Sequence, residues 1–60
     1  MPLTSKELSA IEDQLKMEQV VIKKCNYYAQ NATDPQLKTQ FQNASTKHQN
    51  HYNRLLSQLN

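Results

Sequence analysis

The chain has no glycine, no tryptophan, one cysteine and two prolines among its 60 residues. Without glycine it cannot form the glycine-rich loops that hold phosphates in nucleotide-binding proteins. The single cysteine, Cys25, excludes an internal disulfide. It leaves two interpretations, a small hydrophobic side chain or a disulfide between two copies.

The chain also lacks long hydrophobic runs and a strong excess of either positive or negative charge. No apolar run approaches the roughly 20 residues of a membrane-spanning helix, and residues 1–6 lack the apolar core of a signal peptide. The net charge is +2 with both signs interspersed, and Lys23-Lys24 is the only adjacent basic pair. A nucleic-acid surface needs a clustered basic patch. We therefore expect neither a nucleic-acid nor a membrane partner, and a cytoplasmic location.

What the chain does have is apolar residues at alternating steps of three and four on both sides of Thr33. This spacing is typical of a seam between two helices. It predicts an all-α fold, an antiparallel helical hairpin in one domain (1–60), with helices over about 5–30 and 35–59 and a turn at 31–34. The residues predicted to be buried are Leu8, Ile11, Leu15, Ile22, Cys25, Phe41, Leu55 and Leu59.

The predicted helix ends follow from local signals. Thr4 is followed three residues later by a glutamate, the spacing of a capping box. Asn31 favours the left-handed conformation that ends many helices. Pro35 suits a first helical position and pushes the residue before it out of helical geometry, so Asp34 or Thr33 is the expected N-cap.

Each helix carries a second apolar stripe beside the first. A stripe wider than one seam is typical of a bundle helix that contacts two neighbours. We therefore predict a homodimer that forms an antiparallel, ferritin-like four-helix bundle. The predicted dimer-contact residues are Met17, Val21, Tyr28, Tyr52, Leu56 and Leu59.

Reflection of the two helices about residue 33 sets Glu18 opposite His48 at the middle of the hairpin. Such a pair satisfies two groups that would otherwise be unfavourable to bury, and it fixes register. Another interpretation is that the two side chains are exposed or that the helices pack in a different register. Alternatively, Glu18, His48 and His51 form a zinc, iron or manganese site, because carboxylate and imidazole bind such ions. In di-metal carboxylate bundles a glutamate precedes the histidine by three residues, but this position is Ser45.

Residues 34–44, running into 48–52, together with residues 3–8 and the Asn-x-x-Asp-Pro-x-Leu turn that begins at residue 31, resemble the spore coat protein F-like family of endospore-forming bacteria. That family is similar to the wider ferritin-like superfamily in being built from helical hairpins. The resemblance implies a small structural or assembly protein of the sporulating cell, located in the spore coat and associated with related coat proteins. It implies no enzyme, and it carries the superfamily's ligand pattern over only at Glu18 and His48.

Overall fold

The computed structural model describes residues 2–59, which form two antiparallel α-helices packed side by side. Helix α1 spans Ser5–Asn31 and helix α2 spans Pro35–Ser57. Residues 32–34 connect them, and the hairpin measures 47 × 14 × 11 Å. The predicted all-helical hairpin is thus confirmed.

The capping box predicted at the start of α1 is present. The backbone N–H of Glu7 donates to the Thr4 hydroxyl over 3.1 Å, and the backbone N–H of Thr4 donates to the Glu7 carboxylate over 3.0 Å. These bonds satisfy two donors that have no partner inside the helix. They fix the beginning of α1 at Ser5, as predicted.

The left-handed stop predicted at Asn31 is wrong. Asn31 is helical, no residue of 2–59 has a positive φ, and the next residue, Ala32, is extended with φ −71° and ψ 129°. The Asn31 side chain donates to the carbonyl of Tyr27 over 2.8 Å, and the Ala32 N–H donates to the carbonyl of Tyr28 over 2.9 Å. The last carbonyls therefore have partners without a left-handed residue.

Helix α2 begins at Pro35 with Asp34, rather than Thr33, as its N-cap. The Asp34 carboxylate accepts from the backbone N–H of Gln36 over 2.7 Å and of Leu37 over 3.3 Å. At the other end α2 stops at Ser57, two residues before the predicted position.

The interior of the hairpin is very small. Among residues 2–59, only Ala29, at 6% exposure, is a buried hydrophobic residue. Two residues predicted to be buried are exposed, Leu8 at 40% and Leu59 at 39%. Leu8 lies about 80° around α1 from Glu18, and Leu59 follows the end of α2. The other predicted core residues are half-buried: Ile11, Leu15, Ile22, Cys25, Phe41 and Leu55.

The surface area is large for the mass of the chain. The hairpin exposes 4966 Å², whereas a compact monomer of 7.0 kDa would expose about 4000 Å². The excess is roughly 900 Å². The hairpin therefore has more exposed surface than a self-sufficient folded chain of this size.

Candidate functional site

Glu18 is the most buried polar residue in the part of the chain that the structure describes, with 5% exposure. It lies near the middle of α1, on the side that contacts α2. One carboxylate oxygen, Oε2, lies 2.7 Å from Nδ1 of His48. The predicted contact between Glu18 and His48 is therefore confirmed.

His51 joins the same carboxylate. Its Nδ1 atom lies 2.9 Å from the other oxygen, Oε1, of Glu18. His48 and His51 are three residues apart and so lie on one side of α2, which brings both rings to one acid. Reflection about residue 33 places His51 opposite Leu15, whereas in the structure it bonds Glu18.

A third side chain completes the set of donors. Gln14, one turn before Glu18 on the same helix, donates from Nε2 to Oε1 over 3.2 Å. Sequence reasoning missed this contact, although the four-residue spacing on one helix is a signal that could have found it. Glu18 therefore accepts hydrogen bonds from three side chains, two of them from the opposite helix.

The pKa of Glu18 is lowered from its ordinary value of 4.5. The hydrogen bond from His48 is the largest cause, because it stabilises the ionised carboxylate. Burial acts in the opposite direction by penalising the charge, while the bonds from His51 and Gln14 lower the pKa further. Glu18 is therefore an ionised carboxylate at neutral pH.

This geometry sets the protons on the two rings. An ionised carboxylate only accepts, so each histidine presents an N–H at Nδ1. Both side chains also reach solvent, His48 with 36% and His51 with 43% exposure.

The predicted metal ligands Glu18, His48 and His51 are thus close together, but they bind one another. Within residues 2–59, no three His, Cys, Asp or Glu side chains are arranged to hold a metal ion. Each Nδ1 donates to a carboxylate oxygen, whereas a metal-binding nitrogen must offer its lone pair. The rings would have to turn before the three residues could share an ion.

Two further hydrogen bonds join the helices along one edge of the hairpin. Gln19 on α1 donates to the Tyr52 hydroxyl over 3.3 Å, and the Ser45 hydroxyl donates to the Asn26 side chain. We call this edge, defined by these four residues, the Gln19 edge. Because one residue turns a helix by about 100°, Gln19 lies well to one side of Glu18.

The predicted dimer-contact residues divide between the two edges. Met17 lies about 100° from Glu18 in the direction opposite to Gln19, and Val21 and Tyr28 lie on the same side as Met17. Tyr52 bonds Gln19, and Leu56, one turn after Tyr52, shares its side of α2. The five of these residues that lie within the helices therefore form two separate surfaces, and we call the one formed by Tyr52 and Leu56 the Leu56 surface.

Comparisons with known proteins give no relative for this chain. No protein-family model, no curated protein and no solved structure matches it. Among residues 2–59, neither helix combines the length and hydrophobicity that crossing a bilayer requires.

Proposed function

We propose that this protein is a small structural protein that acts by self-association, two hairpins packing into an antiparallel four-helix bundle. The observation that carries the proposal is that the hairpin buries very few hydrophobic side chains and exposes many. The single chain buries Ala29 as its only hydrophobic residue among those described, while it exposes Met17, Tyr28 and Leu56 by 43% or more. Met17 and Tyr28 lie on one edge of the hairpin and Leu56 on the other, and a second copy would cover one of these two surfaces.

The magnitude of the excess surface supports a dimer. A stable protein interface buries about 800 Å² on each partner, close to the roughly 900 Å² by which the hairpin exceeds a compact chain of its mass. Small domains with insufficient cores commonly reach stability by oligomerisation. One further hairpin is therefore enough to account for the exposed area.

The resemblance to spore coat proteins supplies the biological setting of the proposal. In that setting the protein is a building unit of a spore coat, and related coat proteins are additional partners. Its location would be the cytoplasm of the sporulating cell or the coat itself. Acting through surfaces rather than through chemistry, it would not be an enzyme.

The mass of the protein in solution tests self-association. Native mass spectrometry at micromolar concentration is expected to give twice the chain mass of 7.0 kDa. Val21→Lys combined with Leu56→Lys places a charge on each of the two apolar surfaces and is expected to give an unfolded monomer, seen as lost helical circular dichroism. A folded monomer, in the wild type or in this variant, would contradict the proposal.

A control matches the charge that this variant adds. Gln30→Lys with Asn50→Lys introduces the same two lysines at exposed polar positions, away from both apolar surfaces. It is expected to keep the mass and the helicity of the wild type. If it dissociates as well, added charge rather than loss of a contact explains the effect.

Divalent-metal binding at Glu18, His48 and His51 is a second candidate function. It is supported by the convergence of both imidazoles on one carboxylate, within 2.7 and 2.9 Å. A bound ion would replace the present hydrogen bonds with coordination bonds. This would require each ring to turn away from its bond to Glu18.

Thermal unfolding in the presence of zinc, iron(II) or manganese tests this second candidate. A ligand that binds only the folded state at 100 times its Kd adds about 2.7 kcal/mol to stability, so the unfolding midpoint rises by several degrees. Glu18→Gln is expected to abolish this rise. An unchanged wild-type midpoint with all three ions would reject metal binding.

A further inference from the structure

The two apolar surfaces on opposite edges of the hairpin raise the question of which one receives the second copy. We propose that the second copy docks on α1, so that α1 of one hairpin packs antiparallel against α1 of the other. This inference rests on the proposed self-association and specifies its surface and its register. It gives the Leu56 surface no part in the contact between the two copies.

The α1 face comprises residues spaced by three or four along one side of the helix. They fall within an arc of about 80° and run along about 27 Å of helix, on the side of Glu18 that faces away from Gln19. The members of the α1 face are Ala10, Asp13, Met17, Val21, Lys24 and Tyr28.

Most of this face is open in the single hairpin, although the Tyr28 ring packs against Phe41 of α2 with ring centroids 5.3 Å apart. Met17 is 61% exposed and Tyr28 is 47% exposed, and of the six residues only Val21 is half-buried. The competing surface is smaller and partly occupied: Tyr52 already bonds Gln19, and Leu59 lies beyond the end of α2. The α1 face is therefore the longer of the two surfaces, with four apolar side chains and two charged ones, Asp13 and Lys24.

The sizes of the side chains on the α1 face favour an antiparallel contact. If two α1 helices cross with the two-fold axis at the level of residue 19 along the helix, residues whose numbers add to 38 lie opposite each other. Ala10 of each copy then faces Tyr28 of the other, and Met17 faces Val21. Each large side chain meets a smaller one, which is the complementarity that close packing requires.

The charges on the same face agree with this register. Asp13 and Lys24 have numbers that add to 37, so Asp13 of each copy lies beside Lys24 of the other. The two-fold axis makes this ion pair twice. A parallel arrangement would instead place Asp13 beside Asp13, Lys24 beside Lys24 and Tyr28 against Tyr28, which is unfavourable in charge and in shape.

A charge exchange tests the inference without disturbing the interior, because Asp13 and Lys24 are both exposed. In an Asp13→Lys homodimer both pairs become lysine beside lysine, and in a Lys24→Asp homodimer both become aspartate beside aspartate. Each variant alone is expected to dimerise about fivefold more weakly than the wild type. When the two are mixed, opposite charges meet again and the mixed dimer is expected to predominate in native mass spectrometry.

The matched control makes the same changes one residue earlier. Glu12→Lys and Lys23→Asp alter exposed residues on the Gln19 side of α1. We expect these variants to dimerise as the wild type does and to mix with no preference. A preference for mixed dimers in the control pair, or its absence in the Asp13 and Lys24 pair, would overturn the inference.

Cysteine cross-linking in a Cys25→Ser background tests the direction of the contact. Ala10→Cys and Tyr28→Cys chains are expected to form a disulfide with each other when mixed. Neither is expected to cross-link alone, because like positions lie about 27 Å apart along the axis. Cross-linking of Ala10→Cys with itself would indicate a parallel contact and overturn the inference.

The outcomes separate this inference from the proposal on which it rests. A folded wild-type monomer in native mass spectrometry would reject self-association, and the α1 contact with it. A dimer that is indifferent to the charge exchange would reject only the α1 contact. Self-association would then have to use the Leu56 surface.

Discussion

At the residue scale, Glu18 holds a carboxylate inside a hairpin that has little other interior. An ionised carboxylate away from water is strongly unfavourable unless hydrogen bonds satisfy it, and here Gln14, His48 and His51 do so. If the helices slipped past one another by a turn, the acid would lose at least one of its two partners from α2. We infer that Glu18 fixes the register of the helix pair.

The lowered pKa of Glu18 predicts a dependence of stability on acidity. Because the folded-state pKa lies below 4.5, the ionised carboxylate stabilises the fold above that pH. This contribution is lost as the pH falls through the lower folded-state value. The free energy of unfolding of the wild type, measured with urea from pH 6 to pH 2, is expected to fall more steeply than that of Glu18→Gln.

Glu7 has a lowered pKa as well, chiefly because it bonds the Thr4 backbone, but it is present in both proteins and its effect cancels in the comparison. Glu12→Gln changes an exposed carboxylate on the same helix and serves as the control. It is expected to follow the wild type. Equal slopes for the wild type and Glu18→Gln would contradict the stabilising role of the ionised acid.

The contact between Glu18 and His48 could be predicted from sequence because both lie equally far from the turn. The contact between Glu18 and His51 could not be predicted in this way. Pairing residues that are equally distant from residue 33 gives each residue one partner on the other helix. Side chains three residues apart on α2, however, share a side and reach the same carboxylate. Gln14 was missed because the reflection compares residues between helices and not within one.

At the element scale, the N-caps decide where the two helices begin. Asp34 satisfies two backbone donors of α2 with one carboxylate oxygen, and Pro35 occupies the position where a missing N–H does no harm. Thr4 and Glu7 perform the equivalent task for α1 with two reciprocal bonds. These starts were predictable because capping depends on residues close together in sequence.

Replacing the α2 cap is expected to destabilise the hairpin. Asp34→Ala removes both side-chain bonds and is expected to lower the free energy of unfolding by about 1 kcal/mol, measured by urea denaturation at neutral pH. Asp34→Ser retains a capping oxygen and is expected to lose less. Thr33→Ala, at the adjacent position that is not the cap, is the control. A larger loss for Thr33→Ala than for Asp34→Ala would contradict the assigned cap.

The helix ends were predicted less well than the starts. Asn31 favours a left-handed stop, but its side chain bonds the Tyr27 carbonyl, and the extended residue after it turns the chain without a positive φ. Helix α2 ends before Leu59, where no cap residue in the sequence marks the boundary. Leu8 and Leu59 are exposed because each lies near an outer end of the hairpin, where packed helices have few neighbours.

At the scale of the whole molecule, the hairpin is a rod 47 Å long and 11 to 14 Å thick. Two helices side by side are too thin to enclose large side chains, which is why half-burial prevails along the seam. The apolar positions were predicted correctly, but their degree of burial depends on neighbours that one chain does not provide. Sequence periodicity does not distinguish a surface that is buried within one chain from a surface that is buried only when two chains associate.

Stability is therefore expected to depend on protein concentration. For a dimer whose subunits unfold when they separate, each tenfold dilution removes about 1.4 kcal/mol. For two chains of this size, this corresponds to a midpoint lowered by about 5 °C. Circular dichroism melts from 1 to 100 μM check the expectation. A midpoint that does not change over this range would show that the single hairpin is stable alone.

The short connection between the helices has one more consequence. Asp34 and Pro35 interrupt what would otherwise be an unbroken helical sequence, since the one caps a new helix and the other disfavours helical geometry just before it. With alanine at both positions, the two arms could straighten into one long helix. Two straightened chains could then exchange arms and rebuild the Glu18–His48 contact between molecules, so we expect Asp34 and Pro35 also to disfavour domain swapping.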